Sequence, residues 1–324
     1  MGTPEFAVAG LKALHDSGCE IAAVVTVPDR PAGRGRKITF SPVKEYALEN
    51  KLTILQPEKL RDPEFIAKLK DLNADIFVVV AFRMLPEAVW SIPPMGTFNL
   101  HASLLPQYRG AAPINHAIMN GETRTGVTTF LIDKEIDTGM ILLSREAEIS
   151  PDDTAGSLHD RLMLTGAALT VDTVDGLFTR SLKPKPQKSV AGEQLMPAPK
   201  IFPADTVIDW KKPAKLVHNL IRGLSPYPGA TTSLRKGDNL IRLKVLGSNL
   251  YIDFDSHGNN GGNNQKDSQP GTFPGRLTIM EKSRLIVSCG EGTVEITSLV
   301  PEGRKRMSSA EFLRGFDPAG WELA

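Results

Sequence analysis

The chain has almost no cysteine: Cys19 and Cys289 are its only two, far apart, with no C-x-x-C and no histidine-rich partner. That spacing excludes a disulfide framework and a zinc site of the usual kinds, and it fits a reducing compartment. Long apolar runs are missing too. No stretch approaches the 18 consecutive apolar residues of a membrane span, and Met1-Gly2-Thr3-Pro4-Glu5-Phe6 lacks the charged and apolar regions of an export signal, so a cytoplasmic protein is expected. An excess of one charge is absent as well, with 38 Lys and Arg against 37 Asp and Glu, which argues against wholesale coating of nucleic acid but leaves room for local patches. Several familiar signatures do not occur. Without G-x-G-x-x-G, a P-loop, G-x-S-x-G or H-E-x-x-H, the dinucleotide, phosphate-cradle, serine-hydrolase and zinc-protease readings lose their support, and no metal is expected.

What remains is a 324-residue chain of ordinary composition, long enough for two domains. In the first half, apolar runs alternate with helix-length amphipathic stretches, the pattern of a mostly parallel sheet covered by helices on both faces. Strands are predicted at 20–27, 53–56, 76–81, 97–100 and 126–131. A helix is expected from Thr3, with Thr3 as N-cap and Pro4 at the first helical position, to about Ser17. A long helix is expected from Leu158 to Phe178. Between 183 and 204, Lys183-Pro184-Lys185-Pro186 and Pro197-Ala198-Pro199 sustain neither helix nor central strand and read as a linker. Beyond it, a helix at Ala214–Leu224 precedes short segments at 240–246, 276–280, 285–288 and 294–299, the spacing of a small antiparallel barrel. The expected division is 1–182 for catalysis, 183–204 for the linker and 205–324 for the barrel. The Gly- and Asn-rich run within 255–274 reads as a surface insertion.

The densest polar cluster is Asn99-Leu100-His101, followed by Ser103-Leu104-Leu105-Pro106 and Arg109-Gly110-Ala111-Ala112-Pro113. Ligands collect at the carboxyl ends of strands in such sheets, and Asn99 and His101, two apart, project from one side of an extended backbone. They offer an oxyanion donor and a base working near neutral pH. For an isolated Asn-x-His, a satisfied structural histidine is the commoner outcome. Asp137, followed by Thr138-Gly139, is able to orient His101 or to be an ordinary turn aspartate. Arg30, Arg34, Arg36 and Lys37 form a glycine-containing basic run suited to following phosphates, and Arg304-Lys305-Arg306 form a second; solvated surface charge is the plainer alternative for each.

Together with G-T-P-E-F-A at 2–7, P-D-R-P-A-G-R-G at 28–35, S-P-V-K at 41–44, D-T-G at 137–139, S-P-Y-P-G-A at 225–230 and G-R-K-R-M at 303–307, these motifs resemble the methionyl-tRNA formyltransferases. The resemblance spans nearly the whole chain. N-x-H with S-L-L-P is shared by the wider folate-dependent formyltransferases, whereas the basic run and C-terminal motifs select the tRNA enzymes. It implies a Rossmann-like α/β catalytic domain and an OB-like β-barrel that helps to hold tRNA. It further implies 10-formyltetrahydrofolate as co-substrate, initiator methionyl-tRNA as acceptor, and a monomer. Asn99, His101 and Asp137 would be catalytic. Ser103, Leu104, Leu105 and Pro106 would line the folate site with Phe82, Arg83, Met84 and Leu85, and Arg30, Arg34, Arg36, Lys37, Arg304, Lys305 and Arg306 would meet tRNA. Two departures stand out. Phe82-Arg83 occurs where many members have an aromatic residue and glycine, and only Met1 precedes G-T-P-E-F-A, where members carry a short strand; the expectation is that the true start lies upstream. Two rivals share parts of this pattern: a formyltransferase acting on a small amine, and a tRNA-binding protein without catalysis.

Overall fold

A computed structural model describes residues 1–32, 37–188, 194–251 and 273–323. The chain divides into two compact units, one of residues 1–114, 124–149 and 157–199, the other of 115–123, 150–156 and 200–324.

The first unit opens with helix α1 (Glu5–Asp16). Its N-cap is Pro4, with no side-chain cap, so Thr3 lies before the helix and not at its cap. Strands β1 (Val24–Val25) and β4 (Ile54–Leu55) pair in parallel, and between them lie a hairpin of β2 (Arg30–Ala32) and β3 (Lys37–Thr39) and helix α2 (Pro42–Glu49). Helix α3 (Pro63–Asp71), capped by the Asp62 carboxylate, leads to β5 (Phe77–Val80), helix α4 (Glu87–Trp90) and β6 (Thr97–His101). Helix α5 (Pro113–Met119) then precedes β7 (Arg124–Leu131), β8 (Ile141–Glu148) and the long helix α6 (Ala155–Phe178).

The central sheet runs β5-β6-β7-β8. Only β5 and β6 are parallel; β6 to β7 and β7 to β8 are antiparallel, so the sheet is mixed where a mostly parallel one was expected. The turn at 132–140 accounts for the β7–β8 pair, since a connection that short can return the chain only as an antiparallel neighbour. The apolar run of β5 serves both faces. Phe77 and Val79 pack with Phe65 and Leu69 of α3 and with Val89, while Ile76 and Val78 pack on the other side with Leu14 of α1 and Val174 of α6. Between β1 and β5, Gly2 N–H donates to Val25 O at 3.0 Å and Val80 N–H donates to Met1 O at 2.9 Å. The facing backbone groups of both strands thus find partners in the first two residues. A Cβ at Gly2 would sit 2.8 Å from Val80 O, so this approach requires glycine.

The second unit contains α7 (Ala214–Leu224), β9 (Ala230–Lys236), β10 (Asn239–Tyr251), β11 (Leu277–Met280), β12 (Arg284–Ser288), β13 (Thr293–Pro301), β14 (Met307–Ser308), α8 (Ser309–Gly315) and β15 (Glu322–Leu323). Its sheet is antiparallel throughout, in the order β11-β12-β13-β10-β9-β15, with β14 on β13. It curls so that Leu323 N–H donates to Gly275 O at 3.2 Å. The curl encloses Val217, Ile221, Leu224, Leu234, Val245, Val287, Ile296 and Leu299, all nearly inaccessible. A curled antiparallel sheet with one helix packed on it is therefore the architecture here, coarser than the OB-like barrel expected. Of the insertion expected within 255–274, residues 255–272 lie outside the described residues.

Candidate active site

The carboxyl end of β6 carries Asn99 half-buried and His101 buried. Both belong to the same parity of one strand, as the period of two requires. The Asn99 amide has no hydrogen-bond partner among the described residues, which leaves it available to a ligand. His101 is held differently. Its Nε2 lies 2.8 Å from the Tyr108 carbonyl oxygen, and because a carbonyl only accepts, Nε2 carries the proton and donates. In the neutral ring Nδ1 is then the unprotonated nitrogen, and it faces Asp137 Oδ2 at 3.8 Å. That separation exceeds a hydrogen bond. The ring is thus oriented by a backbone carbonyl rather than by Asp137, and the carboxylate stands where a proton arriving at Nδ1 would meet it.

Two loops set this spacing. Tyr108 adopts the left-handed region at φ 60°, and Asp137 does so at φ 56°. Non-glycine residues hold that conformation where surrounding structure enforces it. Next to Tyr108, Gly110 N–H donates to Asp137 Oδ2 at 3.0 Å. Gly110 lies at φ 127°, and a Cβ there would fall 2.3 Å from Ala198 O. Across the turn, a Cβ at Gly139 would come within 1.6 Å of Leu131 O. Both glycines are therefore obligatory where they stand.

The Ser103–Pro106 loop lies alongside. Ser103 is fully buried and its hydroxyl donates to Gln107 O at 2.6 Å, while its carbonyl accepts from Thr128 Oγ1 at 2.7 Å. Its side chain therefore shapes the loop from within. Leu105 is buried, and the Leu105-Pro106 peptide is cis. After β5, Phe82 and Leu85 pack into the apolar cluster beside α3, whereas Met84 is 69% exposed. Arg83, in one of the two departures from the resemblance, is held through backbone carbonyls. Its guanidinium donates to Glu58 O at 3.0 Å and Pro57 O at 2.8 Å, and burial and then the charge of Arg30 lower its pKa. Its stem thus fastens the 82–85 segment to the chain following β4.

The basic run brackets β2 and β3 in the sequence, and the structure describes its two ends. Arg30 pairs with Thr39 and is exposed; Lys37 begins β3; Arg34 and Arg36 lie outside the described residues. Below it Lys44 forms an ion pair with Asp29, and Gln56 donates to Asp29 Oδ1 at 2.9 Å and to Val27 O at 2.8 Å. The hydrogen bond from Lys44, then that from Gln56, holds the Asp29 carboxyl below its ordinary range. P-D-R-P and S-P-V-K, two separate motifs in the sequence, are one anchor in space. In the second unit Arg304, Lys305 and Arg306 are exposed between β13 and β14, with Arg306 Nε donating to Ser298 Oγ at 2.8 Å. Nothing in the sequence marks Gln187, which reaches from the proline-rich linker to Arg109 and to the Asp137–Gly139 turn.

Residues 1–174 match the family model for formyl transferase, and residues 200–317 match the model for the formyl transferase C-terminal domain. The chain is 47% identical over 321 residues to a methionyl-tRNA formyltransferase of Bacteroides fragilis, an alignment covering 98% of this chain and 94% of that one. It is 45% identical over 315 residues to the protein of the same name from Flavobacterium johnsoniae, covering 97% and 94%. Among solved structures it resembles the sugar 3N-formyl transferase WlaRD, with a TM-score of 0.62, 21% identity, and coverage of 94% of this chain and 97% of the other. An N-formyltransferase from Helicobacter canadensis is similar at a TM-score of 0.60 and 20% identity, again over 94% and 97%. Those two likenesses establish the fold alone. With family models over both halves and relatives this similar along nearly the whole length, the chain belongs to the formyl transferase family, among the methionyl-tRNA formyltransferases.

Proposed function

We propose that this enzyme transfers a formyl group from 10-formyltetrahydrofolate to the α-amino group of initiator methionyl-tRNA, with Asn99, His101 and Asp137 as its catalytic residues. The observation that carries the reading is the Asn99 amide, without a hydrogen-bond partner among the described residues, two positions before a histidine whose Nδ1 faces a carboxylate. The folate supplies an activated formyl carbon. The amine nitrogen bonds to that carbon, the C–N bond to the folate breaks, and one proton must leave the amine while one reaches the departing nitrogen. Asn99 is available to donate to the developing oxyanion, a contact worth about 3–4 kcal/mol when preorganised. His101 has one nitrogen committed to Tyr108 O, so the proton is accepted at Nδ1, where Asp137 balances the resulting charge.

The open segment around Met84 and the Ser103–Pro106 loop are assigned to the folate. Met84, exposed after β5, offers an apolar face to the folate ring system, and the Ser103 hydroxyl is held within its own loop by Gln107 O. The basic run of Arg30, Arg34, Arg36 and Lys37 and the exposed segment with Arg304, Lys305 and Arg306 are assigned to tRNA phosphates. Residues 1–182 would carry catalysis and 205–324 tRNA holding, joined by 183–204. We assign a cytoplasmic monomer; no helix among the described residues is long and apolar enough to cross a membrane. Release of tetrahydrofolate on adding methionyl-tRNA, measured beside a panel of small amines, tests the reading. Turnover only with a small amine would replace it.

A further inference from the structure

We propose that Gln187 is a positioning residue for catalysis, a splint that sets the separation of His101 and Asp137 from within the linker. The proposal rests on the assignment of His101 and Asp137 above. Lys185 and Ile141 exchange backbone hydrogen bonds of 2.7 and 2.8 Å, which lays the linker antiparallel to the start of β8. Two residues on, Gln187 faces the turn. Its Nε2 donates to Asp137 O and to Gly139 O, each at 2.8 Å. Its Oε1 accepts from Arg109 Nε at 3.1 Å and from Arg109 Nη2 at 2.6 Å.

All of this amide's hydrogen-bonding capacity is used, two donors on two carbonyls and one oxygen on two guanidinium N–H groups. The flip of the amide is settled by chemistry, since carbonyls only accept and a guanidinium only donates. Gln187 therefore ties together the two loops that fix the catalytic pair. One is 108–110, where Tyr108 O orients His101, Gly110 N–H holds Asp137 Oδ2, and Arg109 lies between them. The other is 137–139, which carries the Asp137 backbone in its left-handed conformation. A glutamate in its place would still accept from Arg109 but would turn an oxygen towards two carbonyl oxygens.

The test uses the full chain with Gln187→Glu and Gln187→Leu, each also combined with Asp137→Asn. Displacing a reacting group by about 1 Å costs on the order of a hundredfold, so kcat should fall by about tenfold to a hundredfold. KM for folate and for tRNA should stay within about threefold, because ground-state contacts are untouched. In the Asp137→Asn background the Gln187 substitutions should cost nothing further, the signature of a residue acting through Asp137. Wild-type kcat in Gln187→Glu overturns the proposal, and so does a loss that multiplies with that of Asp137→Asn, which would make Gln187 a general brace. If Gln187→Leu fails to fold, Gln187→Glu decides alone. The 15N signals of the His101 ring give a readout independent of turnover: they should move in Gln187→Glu, and unmoved signals count against the splint. A wild-type enzyme that ignores methionyl-tRNA would refute the substrate assignment and leave this measurement standing.

Discussion

The two units are held by opposite means. At the end of β6, polar groups hold polar groups: a backbone carbonyl orients His101, a backbone N–H holds Asp137, and glycines stand where no Cβ fits. In the curled sheet, closely packed apolar side chains such as Leu234, Val287 and Leu299 do the holding. Directional contacts fix distances, whereas burial, which has no direction, fixes stability. Substitutions in the first place should therefore act on rate, and those in the second on folding.

The largest expected effect is at His101. Replacing it with alanine should lower kcat by roughly two to four decades, and Asn99→Ala should do similar damage, with both variants still folded. Single-turnover formylation beside a thermal melt checks this; a folded variant at wild-type rate would remove the catalytic assignment. Asp137→Asn should follow, since the amide can still accept from Gly110 but no longer balances a protonated imidazole. Its loss should appear in kcat more than in folate affinity, measured across the pH range. The mirror experiment is Leu234→Ala in β9, at a side chain 1% exposed. It should cost about 2–5 kcal/mol in denaturant unfolding while kcat per folded molecule stays put. A change in kcat comparable to that of Asp137→Asn would break the contrast.

Next comes the basic run. Alanine at Arg34, Arg36 and Lys37 together should weaken methionyl-tRNA binding and flatten its salt dependence, by somewhat under one unit of log-log slope for each phosphate left without its cation. Folate affinity should survive. Equal slope, affinity and rate would make the basic run ordinary surface charge and favour a small-amine acceptor. The smallest effect belongs to the Arg284–Glu295 pair of the second unit, with contacts of 2.8 and 2.9 Å. Its hydrogen bond from Arg284 holds the Glu295 carboxyl below its ordinary range. The pair's contribution is therefore complete above the unfolded value of about 4.3 and fades as pH falls through the lower folded value. Arg284→Met should cost less than about 1 kcal/mol near neutrality and nothing in acid, read from urea midpoints at several pH values.

Much of this was legible where the signal is local. Helix α7 matches its expected limits at Ala214 and Leu224, and the run at 76–81 contains β5, because side-chain periodicity acts within one element. The N-x-H motif likewise falls at the end of β6. Other features are non-local and left no mark. Every residue has a carbonyl, so nothing distinguishes that of Tyr108 as the one that orients His101. Gln187 sits among prolines that read as linker, and its role depends on partners 78 and 50 residues away. Strand β9, A-T-T-S-L-R-K, is too polar and irregular to stand out, and it is the antiparallel neighbour β10 that makes it a strand. Thr3 loses its capping role to a backbone already extended at Pro4.

The interleaving of the two units along the chain has a consequence during synthesis. The polypeptide changes unit at 114/115, 123/124, 149/150, 156/157 and 199/200. Asn115 donates to Gly223 O across 108 residues, and Arg222 donates to Asp153 O across 69. A nascent chain emerging from the ribosome thus releases two short pieces of the second unit long before the helix that receives them has been made. The first unit is complete in sequence at residue 199, whereas the second has residues waiting from 115 onwards and cannot close before translation has passed α7. A release of the chain by protease or stalling before residue 214 would leave 115–123 and 150–156 as unmatched ends, a liability that no property of the finished enzyme reveals.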